Sequence, residues 1–163
     1  MIRLATINDK DSILEIYEHA RSFMRSYGSS QWQDGYPSAE TVNNDLAQDA
    51  LYVYEEENKI IGVMSVFDYE STYEVIDGKW LSEKPYKVIH RIATHKGFLH
   101  KGIARQMINY NLYNMNRDSI RIDTHELNIP MKRLLDQMGF SYCGVIKLDK
   151  PMDNLRLAYQ KDK

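Results

Sequence analysis

The chain has 163 residues and carries 21 basic against 23 acidic side chains, a net charge of −2, so a strongly basic nucleic-acid-binding surface is not expected. An apolar content of 43% excludes a wholly disordered chain, and the single cysteine, Cys143, cannot form an internal disulfide. The first twenty residues show no signal-peptide core, and the longest clearly apolar stretch, Ile60–Met64, is too short to span a membrane. We expect a cytoplasmic protein with no membrane or nucleic-acid partner.

The first half of the chain predicts a strand, two helices and a hairpin. Asn8 and Asp9 are good helix N-caps, and apolar residues from Ile13 to Met24 then repeat with helical spacing. The predicted elements are a strand at 2–5, a helix ending at Gly28, an aromatic loop at 31–37, a helix capped by Ser38, strands at 51–55 and 60–67, and an irregular segment at 68–84.

The second half alternates strands with helices. The predicted elements are a strand at 87–94, a loop at 95–101, a helix from Gly102, a strand at 119–124, a helix capped by Asn128, and strands at 140–148 and 155–160. A crossover helix joins two of the middle strands, so part of the sheet must be parallel. We predict a mixed α/β fold, β-α-α-β-β-β-α-β-α-β-β, with a mostly antiparallel sheet flanked by helices.

The segment 92–105 leaves a strand, passes a glycine-containing loop and opens an amphipathic helix. A helix start leaves backbone N–H groups without internal partners and carries partial positive charge, and Gly102 and Ala104 let an anion approach closely. The nearby cationic side chains are His100, Lys101 and Arg105. The pattern indicates a diphosphate site, although an ordinary strand-to-helix turn with a solvated basic face would look the same.

This segment resembles the acetyl-coenzyme A motif of the GNAT superfamily of N-acetyltransferases. The family pattern, Arg/Gln-x-x-Gly-x-Gly/Ala, reads Leu99-His100-Lys101-Gly102-Ile103-Ala104 here, with a leucine in place of the usual Arg or Gln. A second stretch, 128–140, resembles the family's next motif, in which an asparagine starts a helix that ends in Gly-Phe. The two motifs lie 26 residues apart, from Gly102 to Asn128, and the element order is similar over residues 2–160.

The resemblance implies a single acetyltransferase domain over residues 1–163 that uses acetyl-CoA as co-substrate and no metal. It further implies that backbone groups of Ile92, Ala93 and Thr94 pair with the pantetheine arm, and that amides from Leu99 to Ala104 hold the pyrophosphate. The Asn128 side chain would hydrogen-bond pantetheine, although a plain helix cap is the alternative for this residue.

Direct attack of an amine on a thioester needs a base, an oxyanion donor and a proton for the leaving thiolate. His90 is the preferred base because it lies on the strand leading into the site, titrates near working pH and shares strand alternation with Ile92. His125 and Asp123 are second choices, and a backbone N–H near Thr94 is the candidate oxyanion donor. For each side chain the alternative is a surface or structurally paired residue.

The sequence indicates the proton donor for the thiolate and the binding site of the acceptor amine less clearly. Many family members carry a tyrosine seven residues after the asparagine, where this chain has Leu135, so Tyr142 or water would have to supply the proton. Trp32 and Tyr36 are candidates for the wall of an acceptor pocket, or else they pack the loop onto the sheet.

We therefore predict an N-acetyltransferase acting on a small-molecule or peptide amine. A non-catalytic acyl-CoA-binding or regulatory module and a domain for another phosphate ligand are the alternatives. The chain's twelve tyrosines are also compatible with a homodimer contact.

Overall fold

The computed structural model describes all 163 residues and contains four helices and eight strands. They are β1 Ile2–Leu4, α1 Lys10–Ser26, α2 Ala39–Ala47, β2 Leu51–Glu56, β3 Lys59–Phe67, β4 Ile76–Gly78, β5 Tyr86–Thr94, α3 Ile103–Asn114, β6 Ser119–Thr124, α4 Ile129–Gln137, β7 Ser141–Lys147 and β8 Leu155–Asp162. The strands form one sheet in the order β1-β2-β3-β5-β6-β8-β7-β4, in which only the β5–β6 pair is parallel. The predicted mixed, mostly antiparallel fold is confirmed.

The prediction of a wholly irregular segment at 68–84 is wrong. Its three residues Ile76–Gly78 form β4, which pairs with β7 at the sheet edge. Tyr73 and Trp80 anchor the segment: both are buried, and the indole N–H of Trp80 donates to the Tyr73 carbonyl at 3.0 Å. A three-residue strand without apolar alternation leaves no periodic signal in the sequence.

Two core layers with helices cover the faces of the sheet, and a third cluster around Tyr73 and Trp80 packs on β5, β7 and β8. On one face α1 packs Ile13, Ile16 and Tyr17 against Val63 of β3 and Ala93 of β5. The layer on the other face joins α3 and α4 to the sheet through Met107, Ile108, Leu112, Leu135, Ile89 and Ile120. No helix of the chain combines the length and the apolar character that crossing a membrane requires.

A bulge in β5 breaks its alternation. Ile89 and Ala93 lie four residues apart, yet they belong to opposite core layers. The register with β3 shifts between Ala93 and His90, and Arg91 takes a positive φ of 52° there. One extra residue reverses the direction of later side chains. His90 and Ile92 therefore face opposite sides of the sheet, and the alternation argument for His90 as a base is wrong.

Strands β5 and β6 separate along their length. They pair only from Tyr86–Ser119 to Val88–Arg121, after which β5 continues to Thr94 without a neighbour on that side. The other edge of β6 stays paired with β8 through Thr124. The resulting gap places the second half of β5 beside open space in the middle of the sheet.

Candidate active site

The gap between β5 and β6 leads into a cavity of about 320 Å³. Its walls come from the loop between α1 and α2, the segment before β4, the start of α4 and the loop between β7 and β8. His90 and Ile92 both line it, because the cavity lies where the sheet is open and receives side chains from both faces.

His90 is held between two carboxylates. Its Nε2 lies 2.9 Å from Glu70 Oε2 and its Nδ1 lies 3.6 Å from Asp123 Oδ2. The hydrogen bond with His90 outweighs partial burial and lowers the pKa of Glu70 to about 2, with help from the Thr72 amide. Asp123, predicted as an alternative base, also lines the cavity beside His90 and accepts a 2.6 Å hydrogen bond from the hydroxyl of Tyr73.

Arg91, at the bulge, is fully engaged by the protein. Its Nη2 and Nε donate to the two carboxylate oxygens of Asp45 at 2.8 and 3.0 Å, and Nε also reaches Ser65 Oγ at 3.2 Å. Its Nη1 donates to the hydroxyl of Tyr36. These contacts join α2, β3 and the loop after α1 behind the cavity, so Arg91 is part of the scaffold.

Trp32 and Tyr36 line the cavity and also pack the loop. The Trp32 ring meets Tyr17 of α1 edge-on at 5.7 Å and Tyr36 at 6.5 Å. Burial raises the pKa of Tyr36, although the adjacent Arg91 works against this rise. The structure thus supports the packing interpretation of both aromatics, and their contact with an acceptor stays a prediction.

The imidazole ring of His125 is held in place by contacts within the protein. Its Nδ1 accepts from the Leu127 amide at 3.0 Å, and its Nε2 lies 2.7 Å from Asp153 Oδ1 and 3.3 Å from Ser30 Oγ. Both ring nitrogens are engaged, and His125 does not line the cavity. The structure therefore gives no geometric support to His125 as a base and favours the structurally paired alternative.

Asn128 caps α4, as the alternative interpretation held. Its Oδ1 accepts from the Met131 amide and from the Tyr27 hydroxyl, each at 3.3 Å, while its Nδ2 donates to Gln31 at 3.0 Å. The side chain is buried and lines the cavity, so its predicted hydrogen bond to pantetheine remains geometrically open.

The loop before α3 presents a row of unused amides. His100 and Gly102 adopt left-handed conformations, with φ of 62° and 76°, which turn the chain into the helix. The Lys101 amide donates to the Phe98 carbonyl at 3.3 Å. No hydrogen bond of the structure uses the amides of Leu99, His100, Gly102, Ile103, Ala104 and Arg105.

The cationic side chains of this loop are turned to other neighbours. Lys101 Nζ lies 4.6 Å from the centre of the Phe98 ring, and Arg105 Nη2 donates to Gln137 of α4 at 3.2 Å. The main chain, more than the side chains, is thus the free donor surface of the loop.

Some backbone groups at the end of β5 are free to bind a ligand, and others are used in pairing with β3. The His95 amide donates to the Ile61 carbonyl at 2.9 Å, which makes Gly62–Thr94 a non-hydrogen-bonded pair. The Thr94 N–H therefore points away from β3, toward the gap. Ala93 lies opposite Val63 of β3 beside the bulge, and its contact with pantetheine stays a prediction.

The proton donor suggested for the leaving thiolate is not in the cavity. Tyr142 is 58% exposed on β7 and packs edge-on against Tyr159, and it does not line the cavity. Leu135 is fully buried in the α3–α4 core layer. No sequence pattern indicates Thr124, which lines the cavity with a buried hydroxyl that has no hydrogen-bond partner.

Comparison with known proteins identifies the family. The family model described as "Acetyltransferase (GNAT) family" matches residues 13–140. A GNAT-family acetyltransferase structure from Streptococcus agalactiae is 35% identical, with a TM-score of 0.91, and the match covers 100% of this chain and 95% of that one. An acetyltransferase structure from Staphylococcus aureus Mu50 is 32% identical over 99% of this chain and 98% of that one, with a TM-score of 0.72.

A more distant structure shares the fold alone. The yncA structure from Salmonella typhimurium, which contains acetyl-CoA, is 18% identical, with a TM-score of 0.66 and coverage of 99% of this chain and 92% of that one. A search of curated proteins finds no match. From the family model and the two closer structures, we conclude that this chain belongs to the GNAT family of acetyltransferases.

Proposed function

We propose that the chain transfers the acetyl group of acetyl-CoA to the primary amine of a small molecule or peptide by direct attack. The observation that carries this proposal is the pairing of two features on one stretch of chain. β5 brings His90 into the cavity, and it ends five residues before the loop whose amides are unused.

The loop fits a diphosphate. Six unpaired N–H groups at the positive end of α3 match the need of phosphate oxygens for donors, and no protein atom lies within 4 Å of where a Cβ on Gly102 would stand. When bound there, acetyl-CoA would supply the activated acetyl thioester. The N–H of Thr94 faces the gap and is free to donate to a carbonyl oxygen held beside it.

His90 is arranged to accept a proton. Because the carboxylate of Glu70 only accepts hydrogen bonds, Nε2 carries the proton in their 2.9 Å contact, and the lone pair remains on Nδ1. The 3.6 Å separation from Asp123 is too long for a hydrogen bond. Nδ1 is therefore the atom that takes the ammonium proton, and the resulting cation lies between two carboxylates.

Thiol release from acetyl-CoA, measured against a panel of amino acids, polyamines, aminoglycosides and peptides, tests the proposal. We expect turnover with at least one amine, and calorimetry should show acetyl-CoA binding. Absence of binding at millimolar acetyl-CoA would overturn the proposal.

A non-catalytic acyl-CoA-binding module is the second candidate. It is favoured by Leu135, whose buried side chain offers no hydroxyl where many family members have tyrosine. Binding of acetyl-CoA without thiol release over the whole panel would support the module, whereas amine-dependent release that is lost in His90→Ala would exclude it.

A further inference from the structure

Two arginines, Arg91 and Arg156, line the cavity, and they differ in how many of their guanidinium nitrogens have hydrogen-bond partners in the protein. Every guanidinium nitrogen of Arg91 has a protein partner. The Arg156 side chain is less exposed than that of Arg91, 5% against 12%, but only Nη1 has partners: the carbonyls of Asp153 and Leu155, at 2.8 and 2.7 Å. No hydrogen bond uses its Nε or Nη2.

The nearest carboxylate does not complete this site. Asp153 Oδ1 lies 3.7 Å from Arg156 Nη1, beyond hydrogen-bond range, and it already bonds His125 Nε2 at 2.7 Å, while Oδ2 accepts from Ser30. The exposed Asp149 and the partly buried Lys150 also line the cavity, on the loop between β7 and β8. Nε and Nη2 retain contact with solvent, so both donors are open to a ligand in the cavity.

The sheet register places Arg156 close to the proposed proton acceptor. Asp123 on β6 lies opposite Ala158 on β8, and Arg156 is two residues from Ala158, on the same face. Asp123 and Arg156 are therefore diagonal neighbours, a relation that separates residues by about 7–8 Å. Since Asp123 adjoins His90, negative and positive groups flank the cavity at a spacing suited to a small zwitterion.

We propose that Arg156, aided by Lys150, binds a carboxylate of the acceptor, so that the acceptor is a small molecule carrying an amine and a carboxylate a few bonds apart. This inference rests on the proposed function and specifies its acceptor class. The unused Nε and Nη2 form the parallel pair of donors that a carboxylate accepts. Glu70 and Asp123 attract the ammonium group at the other wall.

The test compares an amino acid with its amide and with the corresponding decarboxylated amine, all sharing the same reactive amine. In the wild-type protein kcat/KM should be about a hundredfold higher for the amino acid than for the other two. Arg156→Gln should remove this preference, mainly through KM, and leave the amide and amine within about twofold of their wild-type values. Lys147→Gln, an exposed cation on β7 without hydrogen bonds, is the control and should change nothing.

Calorimetric titration of the same three compounds, with coenzyme A present, separates this inference from the proposed function. Carboxylate-dependent binding that disappears in Arg156→Gln, without any thiol release, would overturn the enzymatic proposal and keep the carboxylate site. Thiol release or binding that ignores the carboxylate would overturn the site alone. If Arg156→Gln does not fold, Lys150→Gln carries the comparison, with an expected loss of about threefold for the amino acid only.

Discussion

The loop before α3 and the cavity between β5 and β6 are built in opposite ways. The loop offers main-chain amides from one short stretch, residues 99–105 without Lys101, whereas the cavity gathers side chains from segments as distant as Trp32 and Arg156. A site made of main chain tolerates most side-chain changes and depends on backbone conformation. A site made of side chains depends on each residue and on the contacts that hold it.

The largest effect is expected at His90, because it is the proposed proton acceptor in the cavity. His90→Gln should lower kcat by about 10²–10⁴-fold, the usual contribution of a general base, with acetyl-CoA affinity unchanged. Steady-state kinetics and calorimetry measure the two quantities. His125→Gln is the matched control, and it should reduce the stability of the fold through the lost contact with Asp153. Loss of acetyl-CoA binding in His90→Gln would mean that the cavity and the loop before α3 are not separate sites.

The scaffold behind the cavity gives the next largest effect. Asp45→Asn breaks the buried ion pair with Arg91, so the free energy of unfolding should fall by about 3–5 kcal/mol in urea titrations. Lys84→Gln, which removes an exposed pair with Asp162, should cost about 1 kcal/mol or less. Equal losses in the two variants would show that Arg91 is not a buried structural residue.

The loop is tested by replacing its glycine at position 102. Gly102→Ala adds a methyl group that meets no protein atom within 4 Å, but the residue must keep a φ of 76°. We expect acetyl-CoA affinity to fall by about tenfold, because the strained backbone and the new Cβ both disturb the anion's approach, while stability falls by only about 1 kcal/mol. Gly139→Ala, at a φ of 75° after α4, should show the stability loss without the affinity loss.

The contrast between a loop made of main chain and a cavity made of side chains also explains what could be predicted from the sequence. Helix caps at Ser38 and Asn128, apolar spacing and the glycine loop are local signals, and they placed all four helices and the amide-bearing loop correctly. The bulge at Arg91 leaves no local signal, so alternation could not show that His90 and Ile92 reach the same cavity from opposite faces of the sheet. Glu70 reaches His90 only because buried Tyr73 and Trp80 anchor an apparently irregular segment, and long-range packing of this kind cannot be derived from periodicity.

The smallest expected effect is on stability at acid pH. It arises at Asp9, which lies outside both the cavity and the loop before α3. Two hydrogen bonds from Arg3 outweigh burial and, with those from Thr6, lower the pKa of Asp9 to about 2 from 3.8. A carboxylate with a lowered folded-state pKa stabilises fully above its unfolded pKa, and this contribution is lost as pH falls through the folded value. By pH 3 the loss should be about 1 kcal/mol, and Asp9→Asn should remove that part of the pH dependence.

Urea titrations at pH 7 and pH 3 measure this difference, and an unchanged pH dependence in Asp9→Asn would contradict it. The variant also tests whether Asp9 contributes to a loss of activity in acid. Glu70, whose pKa is likewise about 2, keeps its charge beside His90 at pH 4. A decline of activity between pH 7 and pH 4 that is the same in Asp9→Asn and wild type would therefore not arise from Asp9, whereas a decline that changes with Asp9 would arise from loss of the folded state.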